Sequence, residues 1–188
     1  MIPYKELKCA NLLKIQEETI SFLESRTTLI SNPCTRLWNK INTAEFLKAS
    51  PALLTFVQSL GLKIREAAIT VVNDRQGAGL HIDELPVTAK INIPILNTKG
   101  SRNLWYTVPN LSDYKPIINP FGAKYYDLSA VDLNTCTKVA DVELIAPIVF
   151  NSQIPHMVTV DTNQPLPRIV LSITFFNEPI DFLLDTHV

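Results

Sequence analysis

The sequence predicts a mainly β fold backed by N-terminal helices, and three observations support this fold class. Apolar residues recur at helical spacing in the first third of the 188-residue chain. Most of the remaining chain consists of short runs rich in β-branched and aromatic residues, separated by Pro, Gly, Asn and Asp. No helix-length segment interrupts these runs, which favours a sandwich or barrel over a parallel sheet.

Length and composition predict one domain. With 46% hydrophobic and 19% charged residues, the chain is typical of globular proteins and long enough to bury a core. We expect a single domain over residues 1–188, with a helical part at 1–62 that packs on a β core at 63–178. The net charge of −1 disfavours a broad basic face, so nucleic acid is not an expected partner.

The cysteines and the apolar runs indicate a cytoplasmic protein. Cys9, Cys34 and Cys136 are widely spaced and odd in number, which argues against a disulfide framework and against a zinc knuckle. Charged residues interrupt the N-terminal segment, which is therefore unlike a signal peptide. No apolar run approaches the roughly 20 residues that a membrane helix needs, so no membrane partner is expected.

The N-terminal part is predicted to be a helix, a loop and two further short helices. Residues 5–25 carry apolar positions at helical spacing, and residues 31–42 resemble a loop with a buried aromatic residue. A short helix is expected to start after Thr43. A further helix is expected to begin at Ser50, an N-cap residue followed by proline, and to end near Gly61.

The strands follow in the β-rich part, and two of them have faces of different character. The predicted strand segments are IREAAITVVND, VTAKINIPILN, NLWYTV, AKYYDL, VELIAPIVFN, HMVTVDT and RIVLSITFF. The last strand has one wholly apolar face, made by Ile169, Leu171, Ile173 and Phe175. Its other face is mixed, made by Arg168, Val170, Ser172 and Thr174. An earlier strand repeats this contrast, with Ile91, Ile93 and Ile95 opposite Lys90, Asn92 and Pro94. We expect the N-terminal helices to cover the apolar faces and the mixed faces to line a pocket.

Three residues in the β-rich part are candidate metal ligands. His81 and Asp83 are two positions apart at the edge of a predicted strand, so their side chains project to the same side. His156 stands at the start of another predicted strand. Two histidines and one carboxylate leave one face of an octahedral ion open, which suits non-haem Fe(II) better than structural zinc. A lone His-x-Asp pair is common by chance, so this interpretation depends on all three residues occurring together.

An arginine follows twelve residues after His156 and strengthens the interpretation. Arg168 lies on the mixed face of the last predicted strand, where a guanidinium binds a carboxylate through two parallel hydrogen bonds. Ser172 lies on the same face and offers a hydroxyl donor. The residues therefore predict a metal with an anchor for a dicarboxylate nearby.

The order His81-x-Asp83, His156, Arg168, Ser172 resembles the iron(II)/2-oxoglutarate-dependent dioxygenases. The stretches HIDELPVTAKINIPILNTKGSRNLWY and APIVFNSQIPHMVTVDTNQPLPRIVLSITF carry the resemblance, which spans roughly residues 64–176. It points to the aspartyl/asparaginyl and prolyl hydroxylase branches and to small uncharacterised oxygenases. The resemblance implies a double-stranded β-helix, also called a jelly roll, which is cupin-like and backed by helices.

The resemblance also implies roles for individual residues. His81, Asp83 and His156 would be the catalytic iron ligands, and Arg168 would bind the distal carboxylate of 2-oxoglutarate with help from Ser172. Asn92 and Tyr106 lie on strands that usually line the pocket, where they would contact cofactor or substrate. In this family a serine often follows the arginine by two positions. The present chain departs from that pattern, because Val170 occupies the position.

The implied activity is hydroxylation of an amino-acid or protein side chain, or of a small molecule. Dioxygen and 2-oxoglutarate would be co-substrates, and 2-oxoglutarate would undergo oxidative decarboxylation to succinate. Two alternatives stay open: a cupin-like metal enzyme that does not use 2-oxoglutarate, and a catalytically silent jelly-roll binding module. Arg168 argues against the first alternative, and the intact ligand set argues against the second.

Overall fold

A computed structural model describes residues 2–26, 36–73, 75, 77–83, 87–118 and 124–183, and for residues 36–39 it describes the backbone only. Cys34 and positions 31–35 of the expected loop lie outside the described residues. Cys9 and Cys136 carry free thiols. No helix in the described ranges is long and apolar enough to cross a membrane.

Two six-stranded antiparallel sheets pack face to face in the described part of the chain. The major sheet has the spatial order β1 (Tyr4–Glu6), β10 (Ile148–Asn151), β5 (Ala89–Leu96), β12 (Arg168–Phe175), β3 (Ile64–Val72), β2 (Arg36–Lys40). The minor sheet has the order β7 (Ile117–Ile118), β8 (Lys124–Asp127), β4 (Ala78–Ile82), β11 (His156–Val160), β6 (Ser101–Thr107), β9 (Thr137–Glu143). From β3 to β6 and from β9 to β12 the chain alternates between the sheets. This alternation is that of a double-stranded β-helix, so the fold class expected from the sequence is confirmed.

In the described part of the chain, three helices cover the outer face of the major sheet: α1 (Leu12–Glu24), α2 (Thr43–Ala49) and α3 (Pro51–Ser59). Their buried residues share one core with the apolar faces of β5 and β12; among its members are Ile15, Leu23, Phe46, Leu53, Ile91, Ile93, Ile169, Leu171 and Ile173. Each such side chain stabilises the fold by about 1.5–3 kcal/mol relative to exposure. The expectation that helices cover the apolar strand faces is therefore confirmed.

The helix N-termini are capped in two different ways. The Asn42 side chain accepts a hydrogen bond from the Glu45 N–H at 3.1 Å, which caps α2. Ser50 occupies the N-cap position of α3 as expected, but its hydroxyl donates to Glu18 of α1 at 2.9 Å. The same Glu18 carboxylate accepts from the Ala52 N–H at 3.1 Å. A carboxylate from another helix thus takes over the capping role predicted for Ser50, and this also ties α1 to α3.

The N-terminal part is less helical than the sequence predicted. Residues expected to begin the first helix instead form β1, which pairs with β10, and α1 starts only at Leu12. The expected loop at 31–42 contains β2, which pairs with β3. The segment VELIAPIVFN, expected to be one strand, divides between β9 and β10, which belong to different sheets. Pro147 lies between these strands and has no N–H to donate to a continuous ladder.

Candidate metal centre

Strand register brings the two predicted histidine ligands together. His81 on β4 and His156 on β11 are directly opposite each other in an antiparallel pair, so both side chains leave the same face of the minor sheet. Their ring centroids are 4.3 Å apart. Asp83 follows β4, and its backbone N–H donates to the carbonyl of Ser152 at 3.0 Å. One ligand atom from each of His81, Asp83 and His156 lies within 4.8 Å of the others.

Hydrogen bonds to the main chain determine the tautomer of each imidazole. His81 Nδ1 lies 2.7 Å from the carbonyl oxygen of Gly79, and His156 Nδ1 lies 2.9 Å from that of Ile154. Because a carbonyl oxygen only accepts, each Nδ1 carries the proton and donates it. Each neutral ring therefore presents the lone pair of Nε2, and both Nε2 atoms lie 3.6 Å from an Asp83 carboxylate oxygen.

The electrostatics of the three residues favour a bound cation. Burial opposes the charged carboxylate of Asp83, but Lys90 and the two histidines hold its pKa well below the ordinary value. Burial, together with repulsion from His81, lowers the pKa of His156 to about 4, so this ring is neutral at pH 7. Burial lowers the pKa of His81, but the hydrogen bond and the negative charge of Asp83 raise it, and the net result is a raised pKa. Lys90 offsets the charge of Asp83 from one side, and a metal ion between the two Nε2 lone pairs and the carboxylate would offset their remaining repulsion.

A cavity of about 200 Å³ between the two sheets extends from these residues. It is smaller than the roughly 300–1,000 Å³ typical of sites for drug-sized ligands, so it suits a small molecule. Asn92, Arg168 and Ser172, all predicted from the sequence, line this cavity. Most positions of the two mixed strand faces therefore line a pocket, as expected; Pro94 and Thr174 do not.

Arg168 is buried in the cavity wall with 4% of its surface exposed. Its Nε donates to the hydroxyl of Ser101 at 2.8 Å. Burial lowers the pKa of the guanidinium to about 10, so it remains charged at neutral pH. No acidic side chain in the described ranges forms an ion pair with it, and a buried charge of this kind is costly without an anion.

Comparison with known proteins identifies the fold. No protein-family model and no curated protein matches the chain. HygX from Streptomyces hygroscopicus, solved with nickel and 2-oxoglutarate bound, aligns with a TM-score of 0.56 at 10% identity, over 92% of this chain and 81% of that chain. The epimerase SnoN, solved with Fe³⁺, alpha-ketoglutarate and nogalamycin RO, aligns with a TM-score of 0.53 at 13% identity. The alignment covers 93% of this chain and 78% of that chain. AviO1 from Streptomyces viridochromogenes Tue57 aligns with a TM-score of 0.53 at 10% identity, over 95% of this chain and 92% of that chain. The chain has their fold.

This double-stranded β-helix places a different residue of β6 in the cavity than the sequence predicted. Tyr106 packs beside Leu80 and Val108 and does not line the cavity, so its predicted contact with cofactor or substrate stays a prediction. Asn103 and Trp105 line the cavity instead. Side chains alternate along a strand, so Tyr106 points away from the face of β6 that carries its neighbour Trp105.

The double-stranded β-helix also brings Lys90 to the candidate metal centre. Lys90 lies on β5, is 7% exposed, and its Nζ is 3.1 Å from Asp83 Oδ2. The sequence placed this lysine on the pocket-facing side of its strand, but not beside Asp83. Asn103, Trp105 and Ser101 were likewise not assigned to the site. Their spacing of two residues along one predicted strand was the sequence signal that could have assigned all three to the same strand face.

Proposed function

We propose that this protein is an Fe(II)- and 2-oxoglutarate-dependent oxygenase. The observation that carries the proposal is the convergence of His81, Asp83 and His156 at one end of a cavity whose wall contains the buried, charged Arg168. A metal site alone would not require a buried guanidinium, and an anion-binding cavity alone would not require three converging ligands. The two features together match a metal-chelating dicarboxylate.

The donor set suits iron. Two imidazole nitrogens and one carboxylate oxygen supply the facial ligand set of non-haem Fe(II) enzymes and leave coordination positions for small molecules. The Nδ1 hydrogen bonds to Gly79 and Ile154 orient both rings and leave Nε2 as the ligand atom. Bound iron supplies the activation of dioxygen that couples decarboxylation of 2-oxoglutarate to oxidation of a C–H bond.

The residues of the chain bind and orient the co-substrate. Arg168 binds the distal carboxylate of 2-oxoglutarate, and Ser172 on the same strand face adds a hydroxyl donor. Asn92 is paired with Ser172 on the neighbouring strand β5 and lines the same wall of the cavity. With the co-substrate inside, the sheets exclude most water, and electrostatic interactions strengthen in the resulting low dielectric.

The size of the cavity restricts where the primary substrate binds. A cavity of about 200 Å³ suits a small dicarboxylate but not a second large ligand. The His81 side chain is 27% exposed whereas that of His156 is 7% exposed, so the metal centre faces solvent on the His81 side. We propose that an amino-acid or protein side chain, or a small molecule, approaches from this side and is hydroxylated.

Succinate formation tests the proposal. Purified protein with Fe(II), ascorbate, dioxygen and 2-oxoglutarate is expected to release succinate slowly without a primary substrate, and His156→Ala is expected to abolish this release. The matched control is Arg102→Ala, because Arg102 is exposed and pairs with Asp141 outside the cavity. The proposal fails if the protein, shown to hold Fe(II), neither binds 2-oxoglutarate nor forms succinate.

A further inference from the structure

The inner face of β6 carries a row of polar side chains between the metal centre and Arg168. Ser101, Asn103 and Trp105 are spaced two residues apart, so they project to the same side of the strand. All three are buried, with 0%, 5% and 1% of their surface exposed. The row therefore faces the space between the sheets rather than solvent.

Strand register gives the order of this row along the cavity. Trp105 is opposite His156, at the level of the metal ligands, whereas Ser101 is opposite Val160 and accepts the hydrogen bond from Arg168. Asn103 is opposite Val158, between these two levels. Each two-residue step along a strand covers about 6.6 Å. Asn103 therefore lies one step from the metal centre, in the direction of the guanidinium.

Asn103 has a buried donor without a partner. Its Nδ2 has no hydrogen-bond partner in the described part of the chain, although it lines the cavity. An unpaired buried donor costs about 1–3 kcal/mol, and buried polar groups are nearly always satisfied. A ligand acceptor in the cavity would remove this cost. Because Arg168 makes this part of the cavity positive, the acceptor that fits is an anionic oxygen.

We propose that Asn103 binds the distal carboxylate of 2-oxoglutarate together with Arg168. This inference rests on the proposed function and adds a recognition residue to it. The Asn103 amide donates to one carboxylate oxygen, and the guanidinium donates to the other. The Ser101 hydroxyl accepts from Arg168 Nε and so orients the guanidinium beside Asn103. Trp105 Nε1 also has no partner among the described residues, but strand register places Trp105 at the level of the metal ligands, one step further from Arg168 than Asn103.

Two ligands that differ only at the distal end test this role. 2-Oxoglutarate and 2-oxopentanoate share the metal-chelating 2-oxo acid, but 2-oxopentanoate has a methyl group in place of the distal carboxylate. Both are titrated calorimetrically into the full chain loaded with Mn(II), so the readout is binding rather than activity. Asn103→Leu is expected to weaken 2-oxoglutarate binding about tenfold or more. The same substitution should leave 2-oxopentanoate binding within about twofold.

Further variants make the test robust to misfolding. Asn103→Asp keeps the shape of the side chain but places a carboxylate beside the ligand carboxylate, so it should weaken 2-oxoglutarate binding selectively as well. Thr174→Val is the matched control. The Thr174 hydroxyl is buried and without a partner in the described ranges, but it does not line the cavity. This control should bind both ligands as the wild type does.

Each other outcome has a defined meaning. Equal losses for both ligands in the folded Asn103 variants, or no loss for either, would overturn the role of Asn103 while the proposed function stands. The role is also overturned if the wild type binds 2-oxoglutarate no more tightly than 2-oxopentanoate. Failure of the Mn(II)-loaded wild type to bind either 2-oxo acid would instead reject the proposed function, and the role of Asn103 with it.

Discussion

His81 and His156 are paired across β4 and β11, and each donates its Nδ1 proton to a main-chain carbonyl two residues earlier in the chain. The shared arrangement orients two Nε2 lone pairs toward Asp83. Such preorganisation reduces the cost of assembling a metal site, because the strands already hold the ligands in place.

Removal of one ligand should strongly weaken metal binding. Asp83→Asn replaces a charged oxygen donor by a neutral amide and is expected to weaken Fe(II) or Mn(II) binding by about 100-fold or more. Metal content after gel filtration, with calorimetric titration, measures this loss. Asp127→Asn is the control, because Asp127 is opposite His81 in the neighbouring strand but is exposed. A similar loss in both variants would indicate a general effect of charge rather than ligation.

Metal affinity should fall as the pH falls below neutrality. The raised pKa of His81 means that protons compete with the metal for its Nε2 when the pH drops below that pKa. His156, with its pKa lowered to about 4, should contribute to the competition only in more acidic solution. Mn(II) titrations between pH 5.5 and 8 should show affinity rising with pH and then levelling off. Affinity that is constant across this range would contradict the assignment of His81.

Arg168 should be needed for co-substrate binding at a cost in stability. Arg168→Met removes a buried charge that has no ionic partner in the described ranges, so the ligand-free protein should become more stable by about 1–3 kcal/mol. The same variant should retain metal and lose most of its affinity for 2-oxoglutarate. Thermal melts with and without 2-oxoglutarate measure both effects. Unchanged stabilisation by 2-oxoglutarate would show that Arg168 does not bind it.

Lys90 should compensate the charge of Asp83 in the metal-free protein. Lys90→Met leaves the Asp83 carboxylate without its closest cation, so the free energy of unfolding at pH 7 should fall by about 3 kcal/mol. Bound Mn(II) should restore part of that loss, since the ion supplies positive charge beside the same carboxylate. Urea denaturation with and without Mn(II) provides the comparison. Lys40→Met, which breaks an exposed pair with Glu66, should change stability by less than about 1 kcal/mol.

The depressed pKa of Asp83 also defines a pH window. A carboxyl group whose pKa is lower in the folded state stabilises the fold above its unfolded value of about 3.9, and this contribution disappears as the pH falls through the folded value. The metal-free wild type should therefore lose stability in acid more steeply than Asp83→Asn. Denaturation at pH 7 and at pH 3 measures the free energy of unfolding of both proteins. An equal loss of that free energy between the two pH values in wild type and Asp83→Asn would contradict this linkage.

The sequence alone determined the features that depend on local periodicity. Alternation along the last strand separated the face containing Ile169 and Leu171 from the face containing Arg168 and Ser172. The structure buries the first face under helices and lines a cavity with the second. Side chains on a strand alternate every second residue whatever the partner, so this information is present in the sequence itself.

Only the tertiary structure decided which strands pair and in which register. Pairing with β11 put Trp105 opposite His156 and thereby turned Asn103 inward and Tyr106 outward. The approach of Lys90 to Asp83 likewise depends on how β5 lies relative to the end of β4. Register results from contacts between residues distant in the chain, and a shift of one residue exchanges the two faces of a strand. The local sequence therefore determined which residues are candidates for the site, and the packing of the two sheets determined which of them meet.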